Sequence, residues 1–216
     1  MRAPGPKEKS SVYFTVLEAC KGRGCPVCSL LTKGAQSYIG KMLYENVNDG
    51  DIRGLLRLSH GLCRIHSVMM THGEDHFGIA IIYEDILSHI RRELMGGRAE
   101  DLSPLKECPV CSYRGTMESN YVGIVAGFLH ENELMQALES CGGLCLVHLP
   151  QLMDQLAGPI ERDEMLTLHV RTLEQIRGHL SEFVRKQDIQ FRNEIVSHDE
   201  EMACEQAIDC LVGNSA

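Results

Sequence analysis

The chain has 216 residues, 44% of them hydrophobic and 24% charged, which is the composition of a folded globular protein rather than a disordered one. A formal net charge of −9 argues against binding to the phosphate backbone of nucleic acids, and no apolar run is long enough to span a bilayer. Residues 1–10 are mostly polar and lack the apolar stretch of a secretion signal, so we expect a cytoplasmic protein with no membrane partner.

The first predicted helix begins near Ser11, which could cap it, and ends at about Cys20. Gly22 and Gly24 then break the helix and lead into Cys25-Pro26-Val27-Cys28. Proline fixes one backbone angle and removes an amide donor, which favours a tight knuckle at this point.

After this knuckle, apolar residues recur mostly at three- and four-residue steps up to Val47, which predicts a helix. Asn48-Asp49-Gly50 is a turn signal, and Asp49 or Asp51 could cap the next helix. The segment Gly61-Leu62-Cys63-Arg64-Ile65-His66 then places a cysteine and a histidine at the start of another predicted helix. A longer helix is predicted through 79–94.

The second half of the chain repeats this plan. Cys108-Pro109-Val110-Cys111 is followed by Gly143-Leu144-Cys145-Leu146-Val147-His148. Cys111 and Cys145 are separated by 33 residues, against 34 between Cys28 and Cys63 in the first half. Counting from each knuckle, Tyr38 lies opposite Tyr121. We therefore predict an all-α fold built by tandem duplication of a helical unit, each unit with a CPVC knuckle and a Cys-x2-His at a helix start.

The predicted domain limits follow from this repeat. They are a first repeat at 1–97, a linker at 98–104, a second repeat at 105–190 and a C-terminal helical tail at 191–216. The tail has no counterpart in the first half, and its helix is expected from about Asp199 to Leu211, with Gly213 as its stop.

Three thiols and one imidazole per half are the ligand set of a tetrahedral zinc site. The predicted metal ligands are Cys25, Cys28, Cys63 and His66 in the first half, and Cys108, Cys111, Cys145 and His148 in the second. A cysteine and a histidine three residues apart share one helical face, and the positive end of the helix dipole stabilises thiolate. We expect one zinc ion per half, with Gly61 and Gly143 allowing the chain to bend into each helix start.

Several alternatives stay open. These cysteines could be buried free thiols, or they could hold an iron–sulfur cluster, although the histidine favours zinc. A c-type haem is disfavoured because serine follows each CPVC. The CPVC cysteines could also serve a thiol-based redox switch or metal transfer, but the βαβ pattern of thioredoxin-like proteins is missing.

Other polar and sulfur-containing residues give weaker signals. Cys20 and Cys141 lie near the predicted sites, but Cys141 aligns with Ser59 and Cys20 with no cysteine, which favours incidental burial. Cys204 and Cys210 are assigned no role. The cluster of His72, Glu74, Asp75 and His76 lacks the spacing of a zinc protease and is interpreted as a solvated connection.

The motifs also resemble a prokaryotic family of unknown function. The resemblance rests on the repeated CPVC and GLCxxH motifs, on Val47-Asn48-Asp49, on the segment 78–83 and on the tail segment 188–194. It covers most of the chain and implies a helical protein with duplicated candidate metal ligands. It supplies no activity for this chain, because that family has no established one.

The sequence thus predicts a zinc-binding helical protein of unknown biological role, with two structural Cys3His sites holding a scaffold that could dock another protein. Four protein ligands leave no open position on the ion for a substrate or water, so hydrolytic catalysis is not expected.

Overall fold

The structure is a computed structural model that describes residues 8–73, 75–97, 102–191 and 193–213. The residues within these ranges form ten α-helices and no β-strand, which confirms the predicted all-α class. The helices are α1 (Ser11–Ala19), α2 (Pro26–Tyr44), α3 (Gly50–Leu58), α4 (Arg64–Thr71), α5 (His76–Met95), α6 (Pro109–Phe128), α7 (Asn132–Cys141), α8 (His148–Gln155), α9 (Pro159–Lys186) and α10 (His198–Val212). None of these described helices has both the length and the apolar character that a bilayer crossing requires.

Several helix ends follow directly from local sequence. The Asp49 carboxylate accepts hydrogen bonds from the amides of Asp51 and Ile52, both at 2.9 Å, so Asp49 is the cap of α3. The predicted cap of α1 was wrong by one residue. Ser10, with an extended backbone, occupies the N-cap position, and Ser11 is already helical.

The tail helix α10 lies close to its predicted limits. Ser197 and Glu200 form a reciprocal capping box at its start, and Gly213 ends it at a φ of 81°. Two other predictions lie partly or wholly outside the described residues: the polar segment 1–10 and the linker 98–104 are described only from 8 and from 102.

The chain folds as two compact units. Unit 1 combines the chain up to Leu30 with the chain from Glu118 onward, and unit 2 is Leu31–Met117. Each unit therefore draws on both sequence halves, whereas the predicted domains 1–97 and 105–190 follow the halves in order. The tandem duplication stays a prediction. The boundaries of the two compact units do not coincide with those of the predicted repeats.

Unit 1 has a core of mostly aliphatic side chains, to which Tyr13, Tyr121 and Phe128 add buried aromatic rings. Its fully buried side chains include Tyr13, Leu129, Leu134, Leu138, Leu152 and Met165. Helix α10 packs along α9. The Lys186 ammonium joins these two helices, because it lies 2.7 Å from both carboxylate oxygens of Glu200.

Unit 2 has its own core, in which α3 and α4 pack against α5. Its buried members include Ala35, Ile39, Met42, Leu56, Met70, Ile82, Ile86 and Val110. Arg57 of α3 makes a bidentate contact with Asp85 of α5, with both nitrogen–oxygen distances at 2.8 Å.

Candidate metal centres

Both CPVC knuckles lie at the start of a long helix. Pro26 and Pro109 are the first residues of α2 and α6, where a missing amide hydrogen costs nothing. The carbonyl of the preceding cysteine already accepts the first helical hydrogen bond, from Ser29 at 3.2 Å and from Ser112 at 3.1 Å. The helix therefore brings the second cysteine, three residues on, to the same side as the first.

The Cys-x2-His pairs also lie at helix starts, as predicted. Cys63 is the N-cap of α4, and the Cys145 carbonyl accepts from the amide of His148 at 3.0 Å, at the first residue of α8. Gly61 and Gly143 precede these pairs with φ of 88° and 82°, which confirms the predicted sharp bend.

The structure pairs these motifs across the two halves of the sequence. Site A consists of Cys25, Cys28, Cys145 and His148, and site B consists of Cys63, His66, Cys108 and Cys111. The predicted pairing within each half was wrong. Local spacing fixes which residues of one motif lie together, whereas tertiary packing decides which knuckle meets which helix start. Site A lies within unit 1 and site B within unit 2.

The four donor atoms of site A converge on one point. His148 Nδ1 lies 3.4 Å from the sulfurs of Cys25 and Cys28 and 3.1 Å from that of Cys145. The sulfurs of Cys28 and Cys145 are 3.6 Å apart. All four side chains are buried.

Site B has the same construction with greater exposure. His66 Nδ1 lies 3.2, 3.5 and 3.4 Å from the sulfurs of Cys63, Cys108 and Cys111. The sulfurs of Cys63 and Cys111 are 3.7 Å apart. His66 and Cys108 are buried, whereas Cys63 and Cys111 are half-buried.

The two histidines differ in what their second ring nitrogen contacts. His148 Nε2 lies 3.0 Å from a carboxylate oxygen of Glu118, and that same oxygen accepts from the Gln151 side chain at 2.8 Å. His66 Nε2 is buried and has no hydrogen-bond partner among the described residues. The repeat places Ala35 of unit 2 at the position of Glu118, since both lie seven residues beyond a knuckle. In the part of the chain that the structure describes, only site A therefore has a carboxylate that orients its histidine.

In each site the pKa of the cysteine in the Cys-x2-His motif is lowered. Hydrogen bonds from Cys25 and Cys28 lower the pKa of Cys145 far below its usual range. At site B, burial opposes deprotonation, but the His66 backbone amide and the Cys111 thiol outweigh it and lower the pKa of Cys63. The hydrogen bond with Cys145 raises the pKa of Cys25 to about 12. A metal ion must therefore displace protons, so binding weakens as pH falls.

The C-terminal end of α10 lies directly against site A. A Cβ atom on Gly213 would lie 2.9 Å from the sulfur of Cys28 and 3.4 Å from that of Cys145. The amide of Leu146 also donates to the Cys210 carbonyl at 2.8 Å. No sequence pattern predicts this arrangement, because the tail has no counterpart in the first half.

His169 is a second structural residue that sequence reasoning missed. It is buried in α9, its Nδ1 lies 2.7 Å from the Met165 carbonyl, and its Nε2 lies 3.1 Å from the amide of Leu144. With the proton on Nδ1, the ring donates to Met165 and accepts from Leu144. It thereby fixes the backbone immediately before Cys145. No spacing pattern links these residues in the sequence.

The histidine-rich connection before α5 has a simple structural explanation. Asp75 accepts from the amide of Gly78 at 2.8 Å and caps α5, while His72 ends α4. Glu74 lies outside the described residues. Among the described residues, the groups that could hold a metal are sites A and B, and neither contains His72 or His76.

Comparison with known proteins confirms the resemblance to an uncharacterised family. Residues 12–104 match the model of a family of unknown function, DUF6062. The chain is 26% identical over 208 residues to an uncharacterised 23.9 kDa protein in the xynA 3′ region of Caldicellulosiruptor sp. (strain Rt8B.4), covering 92% of this chain and 99% of that protein. No solved structure matches the chain.

Proposed function

We propose that the protein is a zinc-binding helical protein in which sites A and B are structural Cys3His sites. The observation that supports this most strongly is the convergence of three sulfurs and one ring nitrogen twice, each time from two motifs far apart in sequence. Cysteine and histidine suit zinc, and the four-ligand set is the usual one for its structural sites.

The spacing of the donor atoms fits a tetrahedral ion. Zinc–sulfur bonds of about 2.3 Å and zinc–nitrogen bonds of about 2.0–2.1 Å require sulfur–nitrogen distances of roughly 3.6 Å and sulfur–sulfur distances of roughly 3.8 Å. In site A the corresponding distances are 3.1–3.4 Å and 3.6 Å. In site B they are 3.2–3.5 Å and 3.7 Å. Both sites would accept zinc with shifts of a few tenths of an ångström.

Closed coordination favours a structural role over catalysis. Four protein ligands would occupy all four positions of a tetrahedral ion and leave none for a substrate. Zinc in site A would join residues 117 positions apart, Cys28 and Cys145, and would so restrict the unfolded chain of unit 1. Zinc in site B would join Cys63 to Cys111, 48 positions apart. Metal binding would then contribute to the folding free energy of each unit.

The stoichiometry of paired variants tests both the metal and the pairing. In Cys28→Ser/Cys145→Ser both changes fall in site A, so we expect about one zinc per chain to remain. The matched variant Cys28→Ser/Cys63→Ser damages both sites and should retain almost none. Elemental analysis of protein purified without added metal measures both values.

Two results would contradict this proposal. Retention of two metal equivalents by both double variants would remove these cysteines from the ligand set. Visible absorbance together with iron in the anaerobically purified protein would replace zinc by an iron–sulfur cluster.

The biological role of the scaffold is a separate part of the proposal. We infer that it acts by docking another protein in a reducing, cytoplasmic compartment, where six ligand thiols would stay available for metal. The alternative, a redox or metal-transfer use of the CPVC thiols, predicts rapid and reversible zinc release by dilute peroxide. Zinc retained under that treatment would favour the structural role.

A further inference from the structure

One face of α9 carries an apolar stripe that is largely exposed. The buried residues of this helix are Met165, Leu168 and His169, which belong to the core of unit 1. Beside them lies the α9 stripe, which consists of Leu166, Val170, Leu173, Arg177, Leu180 and Val184. Its side chains at 166, 170, 173 and 184 are 38–69% exposed. Packing among the described residues therefore does not account for this continuous apolar surface.

The α9 stripe has the spacing of a coiled-coil seam. Its six positions alternate steps of four and three residues, which is the heptad pattern of a and d positions. Leucine occupies the d positions 166, 173 and 180, while the a positions 170, 177 and 184 are valine, arginine and valine. Side chains at this spacing pack as knobs into the holes of a second helix. The stripe therefore suits a helix that carries the same pattern, and α9 of a second copy is such a helix.

Arg177 determines which orientation a second copy of α9 can adopt. In a parallel pair, equivalent a positions face each other, so two Arg177 guanidinium groups would meet in the seam and repel. In an antiparallel pair, an a position faces a d position instead, and Arg177 lies opposite Leu173 of the second copy. The next residue, Glu174, is exposed and then adjoins that guanidinium. Two-fold symmetry produces this contact between opposite charges twice, so charge complementarity favours the antiparallel pair.

The antiparallel arrangement has one register that pairs every member of the stripe. With the two-fold axis at position 175, Leu166 faces Val184 of the second copy, and Val170 faces Leu180. A shift by one heptad in either direction leaves two stripe positions of each copy without a counterpart. The paired stretch from 166 to 184 is about 27 Å long at a rise of about 1.5 Å per residue. The same surface meets itself across the axis, so the contact closes at two copies.

We propose that the protein forms a two-fold symmetric dimer in which the α9 stripes of two copies pair as an antiparallel coiled coil. The apolar side chains of each stripe are then covered by those of the other, and the contacts between Arg177 and Glu174 fix the direction of pairing. The two Glu174 carboxylates approach each other near the axis, and each adjoins an Arg177 guanidinium that offsets their repulsion. No ligand of site A or site B lies in α9, so the dimer does not depend on the metal assignment.

Charge reversal in the full-length protein tests the interface and its orientation together. Sedimentation velocity at increasing protein concentration should show the parent chain reaching twice its mass of 24.1 kDa. Arg177→Glu and Glu174→Arg each bring like charges together, and each should weaken dimerisation by about 10-fold or more. The double variant Glu174→Arg/Arg177→Glu restores opposite charges across an antiparallel seam and should recover most of the lost affinity. A parallel pair gains nothing from the double change, because position 177 would still face position 177.

Substitution of exposed apolar residues separates this surface from the rest of α9. Leu166→Ser/Val184→Ser removes two facing members of the stripe and should give a monomer with unchanged helix content by circular dichroism. Ile160→Ser changes a 70% exposed residue of the same helix outside the stripe and should leave the dimer intact. A chain that stays monomeric at every concentration would overturn the proposal and leave the stripe to a different protein. A dimer that survives Leu166→Ser/Val184→Ser, or that the double charge reversal fails to restore, would overturn it as well.

Discussion

The carboxylate of Glu118 is the clearest chemical difference between the two sites. It lies 3.0 Å from His148 Nε2, while the equivalent nitrogen of His66 has no hydrogen-bond partner within the described ranges. A carboxylate in this position fixes the ring and raises the basicity of the metal-binding nitrogen. We expect Glu118→Gln to weaken zinc binding at site A by about 10- to 100-fold.

Site B provides the control for this substitution within the same molecule. Competition with a chelator of known affinity should show one weakened and one unchanged zinc equivalent in Glu118→Gln. An equal loss at both sites, or no loss at either, would mean that Glu118 does not orient His148.

Gly213 combines two constraints in one residue. Its φ of 81° and ψ of 158° fall in a region that only glycine occupies readily, and an added Cβ would meet the Cys28 sulfur at 2.9 Å. Gly213→Ala should lower the free energy of unfolding of unit 1 by about 1–3 kcal/mol from backbone strain, and it should also disturb site A.

Gly40→Ala is the matched control for that substitution. Gly40 lies in α2, and an added Cβ would have no neighbour within 4 Å. Alanine there should stabilise the helix by about 0.5–1 kcal/mol. Thermal unfolding and zinc content, measured for both variants, separate the contact of Gly213 with Cys28 from a general effect of alanine. Equal changes in stability and zinc content in the two variants would contradict a role for that contact.

At the scale of helices, the contact between Arg57 and Asp85 joins α3 to α5 in unit 2. The hydrogen bonds from Arg57 lower the pKa of Asp85 below its ordinary value of 3.8. A lowered folded-state pKa means that the ionised carboxylate stabilises the fold above the unfolded-state pKa, and that this contribution is lost as pH falls through the folded-state pKa.

Asp85→Asn should therefore destabilise unit 2 at pH 7 by about 1 kcal/mol, since the pair is partly exposed. Denaturant unfolding at pH 7 and at about pH 3, below the ordinary carboxyl pKa of 3.8, should show the difference shrinking toward acid. Glu84→Gln, a neutralising change at an exposed neighbour in α5, should have little effect. An equal effect of both substitutions would point to net charge rather than to this pair.

The helices themselves were largely predictable, because their limits depend on residues close together in sequence. Asp49 caps α3 and Gly213 ends α10, both from local patterns, whereas α2 and α6 begin at the proline inside each knuckle and not after it as predicted. The start of α1 was misplaced by one residue, because adjacent serines cannot be distinguished as caps without the backbone angles.

At the scale of the whole molecule, the two sites should differ in how readily they release metal. The four residues of site A are buried and its histidine has a carboxylate partner. Two of the site B cysteines are half-buried, and no described residue hydrogen-bonds to the second ring nitrogen of His66. We expect a chelator in excess to remove zinc in two kinetic phases, with site B releasing first.

Variants in which one site is removed identify which site releases zinc in each kinetic phase. Cys63→Ser/Cys111→Ser should lose the fast phase, and Cys28→Ser/Cys145→Ser should lose the slow one. The reverse assignment would show that burial and histidine orientation do not control release here.

The sequence by itself determined the helical class and the eight residues that gather into two Cys3His clusters, because three-residue spacings at helix starts are local features. It could not determine the pairing. Cys63 with His66 and Cys145 with His148 offer Cys25 and Cys28 the same two ligand types at the same spacing. Composition and spacing therefore favour neither pairing. The packing of the helices into two units brings Cys25 and Cys28 to Cys145 and His148. The same packing places Glu118, His169 and Gly213 at site A.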